Sequence, residues 1–377
     1  MIVRLSDDQT MLADTARTFL AEEGSISKQL RHWRDIGCKD GFGHDHWKQF
    51  AELGLTGICI PEGAGGMGMG AAEAGLVLEE IGRNLTPSPF LTTAVAAVRA
   101  LEGSAQAERW YPGILAGETV AALAIDEGRR HDPSGITMRA EKSGNGFTLS
   151  GAKQFVVHGA SADLILVAAR TGGSAGDADG LTLFAVASDA AGLGIEDVVL
   201  ADSSHAARLT FENVAVDGDA VVGEVDGGGV ALARALGAGR AGAAAELVGV
   251  AAGASAMTLD YLKQRKQFGR LIGEFQALQH RSAHLFGEIE IARAVAQKAA
   301  ALIDAGDARA ELMVSVAKAK AGKVAALAVQ EAVQMHGGIG MTDAHDIGLY
   351  MKREAVLGEL FGSARWHANR VAELSGY

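Results

Sequence analysis

Glycines that let an anion approach the backbone, arginines that bind one and a carboxylate able to move a proton are the residues here with chemistry to offer. The stretch PEGAGGMGMG, 61–70, sets Gly63, Gly65 and Gly68 in the spacing G-x-G-x-x-G after the apolar run LTGICI. In a strand–loop–helix unit that spacing would cradle a dinucleotide phosphate. Further on, YLKQRKQFGRLIGEFQALQHRSAH places Arg265, Phe268, Arg270 and Gln276 around a glycine-interrupted turn, and QMHGGIGMTDAHDIG places Gln334 ahead of Gly337, Gly338 and Gly340. A guanidinium fork binds two phosphate oxygens at once, and glycine removes the Cβ that would block them. Glu246 stands alone in AGAAAELVGVA, where a carboxylate needs a buried partner unless it transfers protons. His44 and His46 diverge at i and i+2 on a helix, so no metal site is expected, and His336 and His345 are expected to pack or cap.

These residues need elements to hold them. From Leu5 to about Leu115 the pattern is helical: Ser6 and Asp7 are candidate N-caps, and Met11, Leu12, Thr15, Phe19 and Leu20 form one stripe. From Thr119 to Val222 short β runs take over, TVAALAI, GFTLSGAKQFVV, ADLILVAAR, LTLFAVA and HAARLTFENV, separated by Gly, Asp and Ser turns. After Gly229 the helical period returns and holds to the C-terminus, with small residues in AELMVSVAKAKAGKVAALAVQEAVQ allowing close helix approach. The expected fold is therefore α+β: an N-terminal helical domain over 1–117, a middle antiparallel β-barrel or sandwich over 118–225, and a C-terminal four-helix bundle over 226–377. Helices, then strands, then helices do not make the alternating βαβ of a dinucleotide fold, so the 61–70 glycines read as a turn.

Composition narrows the partners. Lys+Arg 34 against Asp+Glu 46 gives a net charge of -12, which repels nucleic acid and anionic membrane. Cys38 and Cys59 alone cannot build a disulfide framework, and MIVRLSDDQT has no charged segment followed by an apolar one, so a cytoplasmic location is expected. No apolar run approaches the ~20 residues that span a bilayer, so no membrane partner is expected.

Taken together, RKQFG, FQA and Q-x-x-GG-x-G at these separations resemble the acyl-CoA dehydrogenase family. LGLTGICIPEGAGGMGMGAAEAGLVLEEIGR is similar to its N-terminal segment, and LSGAKQFVVHGASADLILVAAR to its β-domain signature. The resemblance implies FAD, an acyl-CoA substrate, electron-transfer flavoprotein as acceptor, and oligomers in which one chain completes a neighbour's FAD site. It assigns that contact to Arg265, Lys266, Gln267, Phe268, Gln276, Gln334, Gly337 and Gly338, a flavin-ring segment to Phe155–Val157, and a place near the substrate to Arg240. In such an enzyme a carboxylate takes the α-proton of the thioester while the flavin accepts the β-hydrogen.

The departures have a direction. Where the family has Thr-Glu-Pro and a Gly-Ser-Asp turn, this chain reads AIDEGRRHDPSG, with Arg129, Arg130 and His131 in the turn's place. Where most members have Trp-Ile-Thr it reads Phe155-Val156-Val157, which leaves backbone contact and no hydroxyl. The two seats the family uses for its base fall on Phe361 and Gly239, neither of which can take a proton. Glu246 follows Gly239 by two helical turns, ~10 Å, against the roughly 3 Å that proton transfer needs. Glu359 points about 200° away from position 361. The expectation is the base-deficient subunit of a bacterial-type α2β2 acyl-CoA dehydrogenase, of the kind that acts in steroid side-chain breakdown. The alternatives are a homotetramer with Glu246 as relocated base, or a non-redox protein that binds CoA esters or stabilises a partner.

Overall fold

The computed structural model describes residues 5–177 and 179–377. The chain opens with α1 (Asp7–Glu22), α2 (His32–Asp35), α3 (His44–Glu52), α4 (Ala71–Asn84), α5 (Val98–Leu101) and α6 (Ala105–Leu115). Strands follow: β1 (Ala121–Ala124), β2 (Arg139–Ser143), β3 (Gly146–Val157), β4 (Leu164–Arg170), β5 (Leu181–Ala187), β6 (Leu193–Val199) and β7 (His205–Val216). The rest is α7 (Gly228–Gln264), a hairpin of β8 (Lys266–Gln267) and β9 (Arg270–Leu271), then α8 (Gln276–Asp304), α9 (Ala310–His336), α10 (Ile347–Glu359) and α11 (Ala364–Leu374). Contacts sort these into two compact units: one of the described residues up to His32 with Ala71–Thr86 and Arg240–Tyr377, the other of Trp33–Gly70 and Pro87–Gly239.

The first unit is helical. Ser6 caps α1 in a full capping box with Gln9. The buried stripe is Leu12, Ala13, Ala16 and Leu20, while Met11 is 66% exposed, so the stripe expected from the sequence is rotated toward its alanines. Helices α4 and α7 cross backbone to backbone. A Cβ on Gly249 would lie 1.9 Å from the Glu79 carbonyl oxygen, and one on Gly82 2.1 Å from that of Glu246. Alanines of α9 (Ala317, Ala321, Ala325, Ala328) are buried on its packed face. By length and composition α7 can cross a membrane, which the run-length expectation missed because Arg234, Arg240 and Glu246 interrupt its apolar string. Its most apolar window is 78% buried inside the protein, as in the core helix of a folded domain.

The second unit holds a seven-stranded sheet of order β1-β4-β2-β3-β7-β6, with β5 also paired to β4. Most pairings are antiparallel as expected, but β1 and β2 run parallel to β4, which the long crossover through β3 permits. Sequence reading missed β2 and β6, whose side chains are largely exposed and show no apolar alternation. Phe147, Leu149, Ile165, Phe184, Leu209 and Phe211 centre the β core. The glycine stretch 61–70 is a folded-back turn: the amides of Met67, Gly68 and Met69 donate to the carbonyls of Gly57, Ile60 and Ile58. Gly65 and Gly68 take φ of +86° and +64°, and a Cβ on Gly66 would sit 2.2 Å from the Ile60 oxygen. Three amides of this loop are therefore spent inside the turn and cannot cradle a phosphate.

Candidate functional site

Helix α7 ends at Gln264, and the chain turns at once through the β8–β9 hairpin. At its tip Phe268 and Gly269 take φ of +54° and +79°, the two positive values that a tight hairpin turn demands. A phenylalanine there is strained, and its ring is 90% exposed. Arg265, Lys266 and Gln267 are exposed beside it, and the Arg265 guanidinium has no partner among the described residues. Arg270 lies 4.0 Å from the centre of the Phe275 ring, a cation–π contact that fixes the base of the hairpin. Gln276, the first residue of α8, is exposed.

The second motif is brought to this one. Arg265 N–H bonds the Tyr261 carbonyl, and one turn back the Tyr261 ring stacks on His336, centroids 4.4 Å apart. His336 is the last residue of α9 before the glycine loop. Its Nδ1–H donates to the Ala332 carbonyl at 2.8 Å, and Nε2 is buried with no partner among the described residues; burial lowers its pKa, and the adjacent His345 acts in the same direction. Gln334, Gly337 and Gly338 are exposed past this stack, with Gly337 at φ +65°. A Cβ on either glycine would meet nothing within 4 Å, whereas one on Gly340 would lie 2.8 Å from the Val333 oxygen. The bare peptide of Gly337 and Gly338 thus faces outward. His336 and His345 pack as expected, and Tyr261, which joins the two motifs, was not visible in the sequence.

Phe361 sits in the turn between α10 and α11, 6% exposed and at φ +60°. Its carbonyl accepts from Arg240 Nε at 3.3 Å and His367 Nε2 at 3.1 Å. The Arg240 guanidinium lies 4.6 Å over the Trp366 ring, and Ser363 Oγ caps α11 by accepting from Trp366 N–H. Lys318, fully buried on α9, donates from Nζ to the carbonyls of Leu357, Gly358 and Gly362 at 3.2, 2.9 and 3.1 Å. Burial pushes its pKa down to about 7. Two cations and an imidazole therefore grip the backbone on both sides of a side chain that cannot exchange protons. Lys318, Trp366 and His367 were not singled out from the sequence; a pair of lysines two residues apart inside the apolar VAKAKAG was the available signal.

Glu246, 1% exposed, is taken by Arg353 of α10: Nε donates to Oε1 at 3.0 Å and Nη2 to the same oxygen. Gly239 is buried on α7.

Models of the acyl-CoA dehydrogenase N-terminal, middle and C-terminal domains match residues 6–118, 122–214 and 226–375. Short/branched chain specific acyl-CoA dehydrogenase of Bos taurus is 32% identical over 332 residues, 85% of this chain and 76% of that protein. Cyclohex-1-ene-1-carbonyl-CoA dehydrogenase of Syntrophus aciditrophicus is 32% identical over 369 residues, 95% and 87% of the two chains. The chain belongs to the acyl-CoA dehydrogenase family. Its members are FAD-dependent oxidoreductases acting on CH–CH bonds. A solved steroid acyl-CoA dehydrogenase, Tcur3481-Tcur3483, superposes with a TM-score of 0.88 at 30% identity over 98% of each chain. The butyryl-CoA dehydrogenase of Megasphaera elsdenii superposes at 0.90 with 25% identity over the whole of both.

In this acyl-CoA dehydrogenase the segment Phe155–Val157 lies in the second unit. Phe155 takes φ +52° in an irregularity where β3 slips register against β7 between Lys153 and Val156, and Val157 is 7% exposed. Arg265, whose guanidinium has no partner among the described residues, and Gly337–Gly338, with open backbone, all belong to the first unit. They fit an anionic, phosphate-bearing group.

Proposed function

We propose that this chain is one subunit of a heteromeric FAD-dependent acyl-CoA dehydrogenase, lacks its own catalytic base, and completes the FAD site of a homologous partner. The observation that carries the reading is Phe361, held rigid where the family resemblance puts the base, while Glu246 is spent on Arg353. Arg265 would clamp the FAD diphosphate, with Lys266, Gln267, Phe268 and Gln276 beside it, and Gln334, Gly337 and Gly338 would admit the nucleotide to bare backbone. Phe155 and Val157 would offer backbone contact to the flavin ring, and Arg240 would line the acyl-CoA side. FAD, when bound, supplies a hydride acceptor for the β-hydrogen. The α-proton would go to a carboxylate of the partner. The steroid enzyme named as the pair Tcur3481-Tcur3483 supports a heteromer, and a steroid-type acyl group is the substrate class it suggests. The domain boundaries 1–117, 118–225 and 226–377, a cytoplasmic location and electron-transfer flavoprotein as acceptor complete the proposal.

Producing this chain alone and together with its homologous partner tests it. The chain alone is expected to be colourless or unstable, and the co-produced complex yellow and active. Stoichiometric flavin and acyl-CoA turnover by this chain alone would overturn the proposal.

A further inference from the structure

The joint between the β8–β9 hairpin and the glycine loop is built from rings. Tyr261, near the end of α7, stacks on His336 with centroids 4.4 Å apart and planes at 26°. His345 packs against both, 4.6 Å from His336 and 6.3 Å from Tyr261. Among the described residues no hydrogen bond or ion pair ties 261–271 to 334–342, so the two motifs meet here through stacked rings. His336 is 4% exposed. A carbonyl only accepts, so the contact with Ala332 puts the ring proton on Nδ1 and leaves Nε2 a bare lone pair, buried with no partner among the described residues. His345 Nδ1 accepts the Ile347 N–H at 3.1 Å, which puts the proton of its neutral ring on Nε2.

A second proton on His336 can only go to Nε2, where it would be a buried N–H with no acceptor, beside another imidazole. The Tyr261 face would attract that cation by about 0.5–1 kcal/mol, less than the several kcal/mol that an unpaired buried charge costs. The acids on the elements that meet here are engaged elsewhere: Asp343 and Asp346 with Arg31 at 3.5 and 2.6 Å, Glu331 with Arg281 of α8, and Asp260 with Lys263 on α7. Arg265 adds a further cation, and His280 and His284 of α8 are exposed. We propose that the Tyr261–His336–His345 stack is an acid-sensitive latch, closed while His336 is neutral and opened when Nε2 takes a proton, so that His336 positions the hairpin and the Gly337–Gly338 loop against each other. Burial, with His345 acting alongside and the Ala332 bond against, holds the His336 pKa below its ordinary 6.5. The open chain therefore binds more protons than the closed one below about pH 6.5, and the latch is most stable above that value and weakens as pH falls, by up to about tenfold per pH unit. Its consequence for a cofactor rests on the reading that Arg265, Gly337 and Gly338 reach a partner's FAD; the latch itself does not.

The test is hydrogen exchange read by mass spectrometry between pH 8 and 5, corrected for the intrinsic exchange rate, on the full chain in the assembly in which it is isolated. Protection of the segments 262–272 and 334–342 should fall together, at least about fivefold below pH 6.5, while that of β3 and β7 holds. His336→Phe keeps a ring in the stack, His336→Gln keeps a donor for the Ala332 carbonyl, and neither titrates. Each, compared with its own protection at pH 8, should hold it through pH 5. His345→Asn, which offers the Ile347 N–H an oxygen and leaves His336 in place, should still open with acid. Wild-type protection that is flat with pH, or the same fall in the His336 variants, overturns the latch. Flavin retained by the same samples on gel filtration separates the two readings. Release at the pH of opening in the wild type, with retention in the His336 variants, extends the latch to the cofactor; opening without release keeps the latch and overturns the assignment of these motifs to FAD.

Discussion

At the scale of single residues, the chemistry of this chain is set by which charges are already used. Glu246 is the carboxylate best placed by sequence to act as a base, and its buried oxygen carries two donors from Arg353. Glu246→Gln should therefore lower stability by about 1–3 kcal/mol, seen as a fall in melting temperature, and leave the turnover of the assembled enzyme intact. Loss of turnover with an unchanged melting temperature would instead make Glu246 the base. Lys318 is the reverse case, a cation in the core. Its pKa in the fold is about 7, below its ordinary 10.5, so between those values the unfolded chain binds more protons than the native one and stability rises with pH. Below about pH 7 both states hold the proton and that slope vanishes. Lys318→Met should remove the slope between pH 7 and 10, measured as the difference in denaturation free energy between wild type and variant. It should also loosen the 357–362 turn, whose carbonyls lose their donor.

At the scale of elements, two devices position the motifs. The first is the α4–α7 crossing, where the Gly249 Cα faces the Glu79 carbonyl with no room for a methyl group. Gly249→Ala should cost on the order of 1–3 kcal/mol by overpacking, whereas Gly287→Ala on α8, with open space around it, should be neutral or gain up to ~1 kcal/mol of helix propensity. Thermal denaturation of the pair checks both signs. The second is the hairpin after α7. Phe268 carries a positive φ and an exposed ring, a combination that stability alone does not favour. Phe268→Gly should raise the melting temperature by relieving that strain while weakening flavin retention in the complex, read from the fraction of FAD lost on gel filtration. Retention unchanged in this variant would detach Phe268 from the cofactor.

At the scale of the whole molecule, the family's fold is present in all three parts, and the differences concentrate in residues. Arg265, Gln334, Gly337 and Gly338 are exposed, while the Phe361 ring is buried. The expected assembly holds one FAD per pair of unlike chains. Flavin absorbance against protein concentration, with the mass of the complex from light scattering, measures that ratio, and one FAD per chain would contradict it.

Much of this was legible in the sequence. The order of helices, strands and helices follows from local periodicity, and motif spacing singled out Arg265, Gln334, Gly337 and Gly338 as candidates, because both signals lie within a few turns of chain. The β2 and β6 strands were not legible, since exposed strands lack apolar alternation. Only the tertiary structure gave Glu246 to Arg353, Lys318 to the carbonyls of Leu357, Gly358 and Gly362, and Tyr261 to His336, contacts spanning 107, 39–44 and 75 positions. A buried charge must be satisfied by whatever the fold carries to it, and no local pattern says which distant residue that is.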